Sequence, residues 1–522
     1  MALHAAPQLQ SLEARHPAVA TGVRGGLLGP VHGVRGDRAG RIAPTCSFDA
    51  GTHVLSVTSA GFDVLFAKDG TNLSVSGTDC AALNNVDTVN VDMQSNDRQV
   101  GFNLQNGLLE PGFTNEGDAS SEIEFDLTNV STLGEVFVTG GSGPDRFTAG
   151  DRKIGQQTVL AINLNGNHDG FSPDEDVIVH TALVALGLDG GNGDDFLSSH
   201  GTGATGSSPA VAWTTFSDGP GADEVAGGDG NDRFFPQVTA DEGDSFSGGD
   251  GFDWLILGSR SEQMSLTEDG VRNDGIQCPG LGCEDDFVAA DIDRISGGSG
   301  PDVIVGGAGH QVLDGGMGNN SISGGPGNDL LTAGTDTDVF HGGAGFDTVS
   351  YEHHFSSGVN VFLNGNADDG IPGEHDNVMP DVEGIYGSGK SDLLVGDAAR
   401  NILDGGPGDD VLNGKSGNDT LVDATSPPVD GGFSIFTGGD LFIGGPGKDT
   451  VDERGHNGNL TLTIDGNSND QVQGDASQGV DNIQTDVENL IADDGDDTLN
   501  GGPGTDTCKQ GPGTGPKTGC EH

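Results

Sequence analysis

The 522-residue chain is poor in positive charge, with 21 Lys or Arg against 81 Asp or Glu and a formal net charge of −60. Aromatic residues make up only 5% of it and hydrophobic residues 33%, with 2 Trp and 2 Tyr. These shortages exclude one large jigsaw-packed core and a doubly wound α/β enzyme core; by composition alone the chain sits among disordered polyanions. The lack of basic residues also excludes nucleic acid and anionic lipid surfaces as direct partners, and the counterions it invites are cations. No apolar run reaches the ~18 residues that crossing a bilayer needs, so no membrane span is expected. Neither HExxH nor GxSxG occurs, so the zinc-protease and serine-hydrolase readings lack their signatures.

CxxC is missing as well. The six cysteines stand instead in local pairs, Cys46 with Cys80, Cys278 with Cys283 and Cys508 with Cys520, which favours disulfides and an oxidising compartment over reduced, buried thiols. The first 44 residues carry Arg15, Arg24, Arg35, Arg38 and Arg41 and few acids. Their best apolar stretch, GGLLGPVHGV, is interrupted by Gly and Pro, so no secretory signal is legible and disorder is the expectation.

What is abundant is Gly, 93 residues of it, and it is periodic. From Gly297 to Ser350 six nonapeptides follow without a gap: GGSGPDVIV, GGAGHQVLD, GGMGNNSIS, GGPGNDLLT, AGTDTDVFH and GGAGFDTVS. Four more run from Gly387 to Val422, and further copies start at Gly140, Gly190, Asp218, Gly227, Gly248, Gly444, Ala492 and Gly501, eighteen in all. The sixth residue is Asp in fifteen: Asp145, Asp195, Asp223, Asp232, Asp253, Asp302, Asp329, Asp338, Asp347, Asp392, Asp410, Asp419, Asp449, Asp497 and Asp506. Gln311, Asn320 and Asn401 are the exceptions. The eighth is apolar throughout, with Cys508 closing the series. A Gly-rich turn of six residues thus alternates with a three-residue strand whose middle side chain points inward, the pattern of a solenoid. Burying that side chain contributes ~1.5–3 kcal/mol, whereas fixing nine backbones costs ~1–2 kcal/mol each. Such a solenoid needs a further ligand to fold.

At these residues the chain resembles the hemolysin-type (RTX) calcium-binding repeat, GGxGxDxUx with U a large apolar residue, known from secreted bacterial proteins. The resemblance implies an all-β parallel β-roll or β-helix solenoid in which two nonapeptides make one turn. It also implies multiple Ca2+ ions held between stacked turns by turn carbonyls and the fifteen sixth-position aspartates. Turns on one edge would lie 18 residues apart, giving complete pairs at Asp329 with Asp347 and Asp392 with Asp410. The pair Asp329 and Asp347 is then expected to hold a tighter ion than Asp302 with Asn320.

A longer repeat overlies the short one: NLNGNHDG from Asn163, LTEDGVRNDG from Leu266, FLNGNADDG from Phe362 and TIDGNSND from Thr463. Three copies lead into DFVAADID, DNVMPDVE and DNIQTDVE, which are expected to form strand rungs around Ile292, Val382 and Val487. The alternation of Asn165, Asn167 and Asp169 with Gly170 partly resembles an EF-hand loop, with Asp176 rather than Glu in twelfth place; a plain Asn/Asp/Gly surface turn is preferred. Residues from Cys46 to Thr139 read as short alternating strands with a hairpin at KDGT, an N-terminal all-β cap.

Three sites compete with calcium binding. GIYGSGKS, 384–391, fits the phosphate-loop pattern, but DLLVGDAARNILDGG follows it in nonapeptide frame instead of a helix. Glu352, His353, His354 and His375 could bind a transition metal, although solvent-facing loop histidines are the preferred reading. A glycosidase-like carboxylate pair is not legible among 81 acids.

The expected organisation is a disordered segment 1–44, a cap 45–139 and β-roll blocks 140–256, 257–358, 359–458 and 459–522. The expected function is calcium binding with calcium-induced folding in a secreted or cell-surface protein without catalysis, in contact with itself or an unidentified cell surface. Six cysteines depart from the cysteine-poor type I exported members and favour general secretion. The alternatives are a hydrolase in the N-terminal or inter-repeat segments, betrayed by an apolar pocket with convergent polar groups, and a structural adhesin or surface-layer component, betrayed by lateral assembly in calcium.

Overall fold

The computed structural model describes residues 44–59, 63–86, 88–93, 99–106, 123–128, 135–154, 157–164, 177–180, 183–200, 211–237, 243–258, 260–276, 285–423, 439–454, 459–472, 480–492 and 495–520. Segment 1–44 apart from Pro44, the Asn165–Asp176 loop and the Cys278–Cys283 pair lie outside them. The described residues are almost all strand, with one short 3-10 turn at Leu83–Asn85 and no α-helix among them. They divide into two compact units, with the boundary in the chain between Ser299 and Gly300.

In the first unit, parallel stacking begins before any nonapeptide. Val54–Thr58, Thr88–Asp92, Glu124–Thr128 and Val177–Val179 stack in parallel, with Leu55, Val89 and Phe125 in register. A second row runs Val64–Asp69, Gln99–Asn103, Glu135–Thr139, Leu183–Asp189, Val211–Ser217, Arg233–Phe235, Trp254–Ile256 and Arg294–Ser296. The alternation read from the sequence is therefore that of solenoid rungs already. Antiparallel pieces flank them: Thr45–Asp49 lies on Val54–Thr58, and Val64–Asp69 turns at Gly70 into Asn72–Val75 and then Thr78–Ala82. The Cys46–Cys80 disulfide joins the first of these strands to the last. Where the nonapeptides start, Arg146–Ile154, Phe196–Ser198, Glu224–Ala226, Ser245–Ser247 and Phe287–Val288 continue in parallel.

The second unit shows the nonapeptide period most plainly. Ile304, Ile322 and Phe340 stack in one row and Leu313, Leu331 and Val349 in another, each step being 18 residues. The second row continues through Ile385, Leu403, Leu421, Val451, Leu490 and Cys508. A third row contains Val361, Leu394, Leu412, Phe442 and Ile483. Seventeen of the eighteen eighth-position residues are buried; the exception, Cys508, is half-buried and disulfide-bonded to Cys520.

Glycine is demanded where turns stack. Gly219 has φ 93°, and a β-carbon on it would stand 1.8 Å from the Gly191 carbonyl oxygen of the turn below. Only a residue without a side chain fits that approach.

The segments around Ile292, Val382 and Val487 depart from expectation. All three residues are buried, but each sits in a turn closed by a bond from its own N–H to the carbonyl three residues earlier. The strands lie on either side, Phe287–Val288 and Arg294–Ser296 in the first case. An eight-residue segment is too long for one rung and instead makes a rung and the corner that leads into the next, so its apolar residues are shared between strand and turn.

Candidate calcium sites in the turns

The sixth-position residue stands directly before each repeat strand, and its side chain reaches back one turn. Asp329 N–H donates to Asp347 Oδ1 at 2.9 Å, Gln311 N–H to Asp329 Oδ1 at 2.9 Å, and Asp392 N–H to Asp410 Oδ1 at 2.8 Å. The same bond links Asp145 to Asp195 (2.7 Å), Asp195 to Asp223 (2.6 Å), Asp232 to Asp253 (2.8 Å) and Asp419 to Asp449 (2.9 Å). Each carboxylate thus satisfies a buried backbone donor on its neighbour, as buried donors require. The 18-residue spacing holds inside uninterrupted blocks only. Asp410 is followed in its ladder by Asp440, and Asp419 by Asp449, both 30 residues on, with the register kept.

The second oxygen divides the aspartates. In Asp145, Asp232, Asp338 and Asp392, Oδ2 accepts the second-position N–H of its own turn, from Gly141, Gly228, Gly334 and Ser388. In Asp195, Asp253, Asp329, Asp347, Asp410, Asp419 and Asp449, Oδ2 is buried with no hydrogen-bond partner. Asp223, Asp302, Asp497 and Asp506 are buried at the same turn position. The substitutes behave differently. Asn320 accepts the Asp302 N–H at 2.9 Å but turns its amide onto the Gly318 carbonyl at 3.0 Å, so it uses up a turn oxygen instead of adding one.

Burial dominates the titration of these groups. It raises Asp329, Asp338 and Asp419 to about 6, Asp195 to about 7, and Asp253 to about 8, opposed in each by the backbone N–H bonds they accept. Asp410 and Asp440 are raised further, by burial and by neighbouring carboxylates. A hard divalent cation in the turn reverses this, since it favours the charged form and takes carboxylate and carbonyl oxygens as ligands. The orphaned Oδ2 atoms fit such an ion.

Several ladder members lack the GGxGxD lead and escape a search for it: Asp244, Asp286, Asp293, Asp376, Glu383, Asp440, Asp481 and Glu488. Each accepts the N–H of the preceding ladder residue, for example Asp376 from Asp338 at 2.8 Å and Glu383 from Asp347 at 2.9 Å. The signal that remains in the sequence is an acid two residues before an apolar one, as in Asp440-Leu441-Phe442.

The longer repeat is a hairpin with a clamp. Asp369 accepts the Phe362 N–H at 2.7 Å and the Val378 N–H at 2.8 Å; Asp274 bridges Thr267 and Val288 in the same way, and Asp470 bridges Thr463 and Ile483. The turn oxygens that suggested an ion loop are spent on local N–H groups: Asn364 Oδ1 takes Asn366 and Asp465 Oδ1 takes Asn467. Asn165, Asn167, Asp169 and Asp176 lie outside the described residues.

The 384–391 segment holds no phosphate cradle. Its loop amide at Ser388 and the Ser388 hydroxyl both donate to Asp392, and the strand Leu393–Val395 follows. The histidine reading is corrected in part. His353 is exposed, but His354 is buried and paired through Nε2 with Glu374 Oε1 at 3.2 Å, beneath Tyr351. The corner after Ser350 carries Tyr351 in place of Gly, and that ring draws His354 inward.

The geometry defines a parallel β-roll whose turns are lined with carboxylates. The profile of the RTX calcium-binding nonapeptide repeat (4 copies) matches residues 214–236, 289–322, 314–349, 386–421 and 485–509. These segments are RTX repeats, and repeats of this kind bind calcium ions at multiple sites. No curated protein matches the chain. Among the described residues no helix is long and apolar enough to cross a membrane.

Proposed function

We propose that this is a secreted or cell-surface protein without catalysis, in which calcium binding and folding are one equilibrium. The observation that carries this reading is the row of buried Oδ2 atoms without partners, Asp195, Asp253, Asp329, Asp347, Asp410, Asp419 and Asp449. Each desolvated carboxylate costs free energy until a cation sits beside it, so the ion's binding energy becomes folding energy. The proposed ligands are the fifteen sixth-position aspartates with turn carbonyls. Those with an unpartnered Oδ2 form the stronger sites, and Asp145, Asp232, Asp338 and Asp392, whose oxygens are occupied, the weaker. Disulfides at Cys46–Cys80 and Cys508–Cys520 support an oxidising compartment, where calcium is also plentiful. Low calcium would keep the chain extended during export and high calcium outside would fold it.

Circular dichroism and sedimentation velocity on the full chain during a calcium titration test the coupling. The expected result is an expanded, strand-poor chain in chelator that contracts and gains strand signal as calcium is added. A chain already compact in chelator would overturn it.

A further inference from the structure

On one edge of the second unit two turns have an acidic residue, Asp423 or Glu453, where the repeat has glycine. The first-position residues of four successive turns are stacked by backbone bonds: Gly387 N–H to Asp404 O, Gly405 N–H to Val422 O, Asp423 N–H to Asp452 O and Glu453 N–H to Ile491 O. In the ordinary members of this column, the first position has no room for a side chain. A β-carbon on Gly387 or Gly405 would stand 2.5 Å from Oδ2 of its own turn's aspartate, Asp392 or Asp410. Asp423 and Glu453 therefore place carboxylates where the sixth-position carboxylates of their own turns, Asp440 and Asp481, already point.

The distances bear this out. Carboxylate oxygens of Asp423, Glu453 and Asp481 lie within 4.8 Å of one another, and all three residues are buried. Asp440 supplies an independent sign of a ligand. Its Oδ1 accepts the Asp410 N–H, while its Oδ2 is buried without a hydrogen-bond partner in a side chain only 3% exposed. In the ordinary turns Oδ2 faces the first-position β-carbon, so the same register turns this free oxygen toward Asp423, and the Asp440 N–H donates to Asp481 Oδ1 at 2.8 Å. The nearby guanidinium of Arg454 is engaged by Asp452 at 2.5 Å.

We infer that Asp423, Asp440, Glu453 and Asp481 form a carboxylate cage for a calcium-sized hard divalent cation, distinct from the repeat turns. Four carboxylates, mono- or bidentate, can supply the six to eight oxygens such an ion takes at about 2.3–2.6 Å. The absence of imidazole and thiolate from the four disfavours softer transition metals. A turn site draws on main-chain carbonyls; this one uses side-chain charge. It does not depend on which sixth-position aspartates elsewhere hold ions.

The test is a count of bound calcium on the full chain by equilibrium dialysis. Two variants preserve side-chain shape while removing charge: the double substitution Asp423→Asn with Glu453→Gln, and Asp440→Asn, which keeps the oxygen that caps Asp410. Each is expected to bind a single ion fewer at saturation. Asp329→Asn, at a repeat turn, removes a different ion and leaves this one in place. An unchanged count and affinity in both cage variants overturns the cage and leaves the repeat sites standing. No calcium on the unsubstituted chain overturns both.

Discussion

Asn320→Asp would convert a neutral ladder position into one like Asp329. The new side chain keeps the oxygen that accepts the Asp302 N–H at 2.9 Å but loses the amide that donates to Gly318 O at 3.0 Å. In chelator the loss is the bond itself, about 1 kcal/mol, plus about 1–3 kcal/mol for a buried oxygen left facing a carbonyl, or roughly 2–4 kcal/mol together. In calcium the same oxygen becomes a charged ligand. A tenfold gain in affinity is worth about 1.4 kcal/mol, so the stabilisation that saturating calcium adds should grow by about 1.4 kcal/mol for each tenfold gain. Stability in a stacked repeat is local, so the assay is hydrogen exchange of peptides covering 297–305 and 315–323 at a calcium level that just folds the chain and in saturating calcium. Relative to the unsubstituted chain, exchange should be quicker at the lower level, and the further calcium should slow it by a larger factor. Unchanged exchange at the lower level together with no extra protection by the further calcium would refute the reasoning, because the amide would then have been neither a lock on the carbonyl nor a missing ligand.

Asp369→Ala removes the acceptor from the Phe362 and Val378 N–H groups at once and should cost about 2–6 kcal/mol, with Asp369→Asn losing less because one oxygen remains; denaturant unfolding in calcium reads it, and equal losses for the two variants would contradict the clamp. The pH dependence should invert with calcium. Burial raises Asp329 to about 6, Asp195 to about 7, and Asp253 and Asp376 to about 8, above the ordinary value of 3.8. Between that value and the raised one the folded chain holds more protons than the unfolded chain, so in chelator stability is greatest at acid pH and falls as pH rises through about 6–8. In calcium protons compete with the ion and stability should rise with pH across the same window. Strand signal by circular dichroism at pH 5 and pH 8, with and without chelator, decides it; more strand at pH 8 than at pH 5 in chelator would contradict the sign.

The strand rows were legible wherever nine residues hold both the turn and the rung. Ile304, Leu331 and Leu412 could be placed inside from the period alone, and the structure buries them. Legibility failed where the turn was stretched. Asp440 keeps its place in the ladder although the residues before it no longer spell the repeat, because backbone pairing of Leu441–Ile443 with Val411–Asn413 sets its position, and pairing does not care how long the connection was. His354 failed for a related reason: its ring packs 5.2 Å from that of Tyr351, at a corner where glycine was the rule, and pairs with buried Glu374. The acids Asp423 and Glu453 were invisible as ligands because no spacing links them; only stacking does.

The bond from each ladder residue's N–H to the next carboxylate always runs the same way, from an earlier residue to a later one. The stack therefore has a direction built into it. Taking away an earlier turn frees a carboxylate oxygen, which water solvates readily; taking away a later turn strands a buried N–H with nothing to accept it. Every turn is finished by its successor, so the structure closes like a zipper whose open end always faces the residues still to come.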